Sequence, residues 1–97
     1  MNYEKIIASG KIFEKLKSHL PTDADIEMKF LNEYPVFIIF GKGWDDVDIS
    51  YNAAFITLNP ELETGGRFYI SEECLVKLLK ESQTITEFLT LIYDENN

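Results

Sequence analysis

A chain of 97 residues, 45% of them hydrophobic, can bury one core without disulfides or metal but not two, so residues 1–97 are expected to form a single domain. The longest apolar run is five residues, against roughly 20 needed to cross a bilayer, and Met1-Asn2-Tyr3-Glu4-Lys5 lacks the apolar core of a signal peptide. With 17 acidic against 9 basic residues, a net charge of −8 and a sequence pI near 4.5, the composition disfavours direct nucleic-acid binding and implies a soluble, cytoplasmic protein.

The charge is uneven. Residues 1–20 carry Lys5, Lys11, Lys15 and Lys17 against Glu4 and Glu14, a net of +2, which leaves −10 on the rest of the chain. Cys74 is the single cysteine, so neither an internal disulfide nor a cysteine-rich zinc site is expected, and a reducing compartment suits it.

In chain order, residues 3 to about 19 read as an amphipathic helix with Tyr3, Ile6, Ile7, Phe13, Leu16 and Leu20 at three- and four-residue spacings. Gly10 falls on the same stripe, which predicts close approach of another element there. Pro21 should end the helix. Asp25 to Asn32 alternates with period two: Ile26, Met28 and Phe30 share one face, Asp25, Glu27, Lys29 and Leu31 the other. Asn32-Glu33-Tyr34-Pro35 then turns the chain into Val36-Phe37-Ile38-Ile39-Phe40. That run is apolar on both faces, which predicts an interior strand paired as an antiparallel hairpin with the preceding one.

After a turn at Gly41-Lys42-Gly43, Val47, Ile49 and Tyr51 alternate with Asp46, Asp48 and Ser50, which reads as a third strand with one wet face. Ala54, Ile56 and Leu58 resume the alternation, either as a bent continuation across a bulge or, the reading preferred, as a separate fourth strand. Asn59-Pro60-Glu61 opens about one helical turn before Gly65-Gly66, and Arg67 to Ile70 is a short last strand. Ser71 caps a helix with Glu72 and Glu73 in its first turn, and Leu75, Val76, Leu78 and Leu79 form its apolar face. Thr84-Ile85-Thr86-Glu87 is a capping box that starts a helix through about Tyr93, with Asp94 to Asn97 fraying. The fold class is therefore α+β: an N-terminal helix, a three- to five-stranded largely antiparallel sheet and two C-terminal helices. The first helix is expected on the spine strand. Phe37, Ile39 and Leu31, placed opposite Ile38 and Phe30, call for helices on both faces or for a homodimer.

Catalytic signals are sparse. His19, the single histidine, sits at the end of the first helix, where it suits the helix C-terminus. Cys74 lies on the apolar side of its helix, as a small core residue does. Gly41-Lys42-Gly43 and Gly65-Gly66-Arg67 lack the spacing and following hydroxyl of a phosphate loop. No catalytic residue, metal or cofactor is assigned.

One constellation stands out. Trp44 is of a residue type enriched at interface hot spots, and it precedes Asp45, Asp46 and Asp48. On a strand, Asp46 and Asp48 would share a face about 7 Å apart, which suits a cation only if a third ligand approached. Asp23, Asp25 and Glu27 repeat the spacing, and Glu61 and Glu63 could extend the patch.

The pattern points to a non-enzymatic module binding a basic protein surface, such as that of a nucleic-acid-binding protein. By class analogy, small phage- or mobile-element-encoded inhibitors mimic nucleic-acid charge, and immunity proteins or antitoxins neutralise basic toxins. The alternatives are a small ligand- or metal-binding domain or enzyme using Asp45, Asp46 and Asp48, and a structural or assembly subunit.

Overall fold

The computed structural model describes residues 2–95. Helix α1 (Tyr3–Lys17) leads into the hairpin β1 (Ala24–Leu31) and β2 (Tyr34–Gly41). Helix α2 (Asp46–Asn52), strand β3 (Ala54–Thr57), a 3-10 turn at Pro60–Leu62 and strand β4 (Phe68–Tyr69) follow, and helices α3 (Glu72–Glu81) and α4 (Ile85–Glu95) close the chain. The four strands form one sheet in the order β1-β2-β3-β4, an α+β fold with an N-terminal helix and two C-terminal helices.

The hairpin follows from its turn. Asn32 and Glu33 both take positive φ, 48° and 70°, the backbone twist of a two-residue connection, and Leu31 pairs with Tyr34. From there the register runs without interruption to Ala24 opposite Gly41. It sets Met28 opposite Phe37 and Ile26 opposite Ile39, so Ile26, Met28 and Phe30 share a face with Phe37 and Ile39. The sequence reading had set Phe30 with Ile38. A one-residue difference in turn placement reverses the facing.

That first face carries the main core. Leu16 from α1, Leu75 and Leu79 from α3, and Ile85, Phe88 and Ile92 from α4 pack on Phe37, Ile39 and Ile56. The helix ends are satisfied locally and over distance. Ser71 Oγ accepts from the Cys74 N–H, and Thr84 Oγ1 from the Glu87 N–H. The Glu87 carboxylate returns to the Gln83 N–H, and the Asp23 carboxylate, far away in sequence, accepts from the Ile85 N–H at 2.8 Å.

The strand expected over Val47 to Tyr51 is instead α2. Asp45 caps it: its Oδ1 accepts from the Asp48 N–H at 2.8 Å, while the Asp45 carbonyl accepts from the Ile49 N–H. Asp46 and Asp48 lie in the first turn, where the helix dipole favours acid. Residues two apart on a helix lie about 200° apart, so a short alternation of apolar and polar residues fits a helix with Ile49 inward as readily as a strand. Ile49 and Trp44 accordingly pack with Phe55 against Ile38, Phe40 and Ala53 on the second face of the sheet.

Two smaller expectations, the contact at Gly10 and the end of the last helix, are corrected, and the largely antiparallel sheet includes one parallel pairing. A Cβ built at Gly10 meets nothing within 4 Å, so α1 approaches the sheet through Leu16 and the buried Ser9 and not through the glycine. β4 pairs parallel to β3, because residues 58–67 are long enough to carry the chain back to the same end. α4 extends to Glu95; of the tail expected to fray, Asn96 and Asn97 lie outside the described residues.

Two glycines separate space from propensity. Gly10→Ala should stabilise the fold by about 0.5–1 kcal/mol, since helix propensity rises and nothing collides. Gly41→Ala should destabilise it, because the new methyl would strike the Trp44 indole. Phe37→Ala, at a site with no solvent exposure, should cost about 3–5 kcal/mol. Denaturant midpoints of the three variants against the parent chain check all three signs.

Candidate functional site: helix α2 and the groove beside it

Trp44 is half-buried. Its ring lies over Gly41 at the end of β2 and packs against residues of both core clusters, so the indole is a wedge at the sheet end. The Trp44 backbone N–H donates to the Gly41 carbonyl at 3.1 Å and closes the turn, and Gly43, at φ 80°, lets the chain leave the strand. Trp44 thereby seats the start of α2 on the second face.

α2 has seven residues, none of them fully buried and none basic. With Ile49 directed at the sheet, Val47 and Tyr51 stand one turn apart on the solvent side at 63% and 82% exposure. Asp46 and Asp48 are also exposed, and Asp45 is held by its capping bond. The strand-face spacing that suggested a cation site does not exist. Among the described residues, no three histidine, cysteine, aspartate or glutamate side chains gather as a metal site.

Beside α2 a groove of about 580 Å³ opens over the second face. Buried Val36 and Ile38 line it together with Tyr51, Phe55, Phe68 and Tyr93. Phe68 and Tyr93 meet edge to face at 5.3 Å between ring centres. The Tyr93 hydroxyl donates to the Asn52 carbonyl at 3.2 Å, tying α4 to the last turn of α2. Lys29 and Arg67 also line the groove, and the Arg67 guanidinium is fixed by bonds to the Leu62 carbonyl and Thr64 Oγ1, both at 2.9 Å.

The other acidic residues divide. Asp25 and Glu27 lie opposite Phe40 and Ile38, on the face that α2 covers, whereas Asp23 is committed to the N-terminus of α4. Glu61 lines a different cavity of about 430 Å³, between α1 and the start of β2, with Lys5 and Tyr34. Glu63 is exposed where the 3-10 turn ends. Tyr51 and Val47, missed by the sequence reading, were assigned there to a buried strand face. The signal that finds them is Asp45-x-x-Asp48 after a glycine turn, which reads as a cap followed by a first-turn acid.

Elsewhere, His19 follows α1 and donates its backbone N–H to the Leu16 carbonyl. Cys74 packs on the rim of the main core with its thiol 3.7 Å from Glu95 Oε1. Burial and the Glu95 carboxylate both push the Cys74 thiol above its ordinary pKa. The thiolate is the reactive form, so alkylation of Cys74 at neutral pH should be slower than that of an unfolded cysteine peptide and should rise at higher pH than the peptide's. Iodoacetamide labelling followed by mass spectrometry across pH 7–10 reads both.

The capping role of Asp45 is separable from its charge. Asp45→Ala should cost about 0.5–2 kcal/mol and reduce helical signal over α2, while Asp45→Asn, which still caps, should cost far less. Urea titrations of the two variants are the check.

Compared with protein-family models, curated proteins and solved structures, the chain matches none.

Proposed function

We propose that the protein is a small, non-enzymatic binding module that engages a basic surface of a partner protein through α2, in the manner of an inhibitor. One observation carries this reading: an exposed tyrosine and valine, one turn apart, are set among carboxylates on a helix whose opposite side is anchored by Trp44 and Ile49. An aromatic anchor that sheds water at the centre of a contact supplies affinity, and a charged surround supplies orientation and rate. Tyr51 is suited to be the anchor, while Asp46 and Asp48 attract lysine and arginine side chains without being buried themselves. Arg67 and Lys29 on the groove side give the surface a charge boundary that fixes which way a basic partner lies. The acidic excess of the whole chain, −8, favours the same class of partner at long range.

Site-specific photo-crosslinking in the source cells tests this. A photoreactive residue at position 51 should capture a distinct protein, and the same residue at position 80, on the exposed side of α3, should not. The adduct at position 51 should diminish when Asp46 and Asp48 are replaced by asparagine, and its formation rate in extract should fall with added salt. Equal capture at positions 51 and 80, or capture indifferent to the two aspartates, would overturn the reading.

A further inference from the structure

Among the described residues, no strand pairs with the outer edge of β1. β1 is eight residues long, stands first in the sheet and contains no proline, and its pairing with β2 is continuous, without a bulge. The opposite edge, β4, has only two residues. In the hairpin, the two-residue turn makes Leu31 and Tyr34 a hydrogen-bonded pair, so Leu31, Lys29, Glu27 and Asp25 direct their backbone groups at β2. Those of Phe30, Met28 and Ile26 point away from the sheet. The phase agrees with the Ile26 N–H, which bonds to Asp25 Oδ1 at 2.8 Å.

We propose that β1 pairs antiparallel with β1 of a second copy of this chain about a two-fold axis at Met28, joining the two four-stranded sheets into one. Outward-facing residues must meet outward-facing residues, which admits only symmetric registers with the axis at a residue. Side-chain charge then selects among them. With the axis at Met28, Glu27 faces Lys29 of the second copy and Lys29 faces its Glu27, on one side of the sheet. On the other side Ile26 faces Phe30 and Phe30 faces Ile26, which covers a phenylalanine that is 37% exposed in the single chain. An axis at Glu27 or at Lys29 would set that residue against its own copy, and an axis at Ile26 would set Asp25 against Glu27. The stretch Ile26-Glu27-Met28-Lys29-Phe30 is thus complementary to itself in one symmetric register. Pairing exchanges the local Asp25 bond on the Ile26 N–H for a bond to a Phe30 carbonyl across the axis.

Sedimentation of the full chain decides the matter, in about 0.15 M salt so that repulsion between two chains of net charge −8 is screened. The parent chain should pass from monomer to dimer between roughly 1 µM and 1 mM. Glu27→Lys and Lys29→Glu, both at exposed positions, should each weaken dimerisation by roughly tenfold or more, because two attractive pairs become repulsive. The double exchange, Glu27→Lys with Lys29→Glu, should restore it, with circular dichroism confirming the fold of every variant. A parent chain that stays monomeric throughout, single variants that dimerise as the parent does, or a double exchange that fails to rescue would each overturn the proposal. The dimer equilibrium is read on the purified chain alone, so its outcome is separate from partner capture at α2, although Lys29 also lines the groove beside that helix.

Discussion

β2 is apolar on both faces, and each face has to be removed from water by a different part of the chain. Burying one large aliphatic or aromatic side chain contributes about 1.5–3 kcal/mol, so leaving Ile38 and Phe40 wet would offset much of what Phe37 and Ile39 gain on the other side. Three helices, α1, α3 and α4, cover the first face. The second is left to seven residues of α2 and to Trp44. A helix that short does not hold itself in water, where about 12–15 residues are marginal. It forms because Asp45 caps one end, Trp44 and Ile49 anchor one side, and the Tyr93 hydroxyl holds the carbonyl of Asn52 at the other end.

The same economy of cover explains the exposed surface. A short helix lying on a sheet spends one side on packing, and its other side must face outward whatever it carries. Here it carries Val47, Tyr51, Asp46 and Asp48, and the cover ends at Tyr51, where the groove over Val36 and Ile38 begins. Tyr51, at 82% exposure, is the largest side chain on the side that packing leaves free. The functional reading of α2 thus grows out of how β2 is covered.

Much of the fold was legible in the sequence because several local signals agreed. The turn residues Asn32 and Glu33, the alternation of β1 and the apolar run of β2 all specify one hairpin, and Ser71 and Thr84 mark the starts of α3 and α4 where the capping bonds lie. α2 was misread because three apolar residues at period two do not distinguish a strand from one and a half turns of helix; the deciding contacts, Ile49 and Trp44 on Ile38 and Phe40, are packing contacts made after the chain folds back at Gly41-Lys42-Gly43, which periodicity does not show. The facing of β1 against β2 depended on the placement of a single turn. Gly10 shows the converse limit: its position on the apolar stripe suggested contact, yet the space beside it is empty. As for the site, Trp44, Asp45, Asp46 and Asp48 were singled out as a stretch, but helical geometry gave them different work. Trp44 wedges and Asp45 caps, while the exposed aromatic lies further on, at Tyr51.

That α2 is a helix seated on the second face of β2 is the statement from which both the core and the surface follow, and solution NMR tests it most directly. Backbone carbon shifts over Asp46–Asn52 are expected to be helical, with nuclear Overhauser contacts from Ile49 and the Trp44 ring to Ile38 and Phe40. Extended shifts across that segment, or contacts that place Val47 on Ile38 in the position of Ile49, would contradict it.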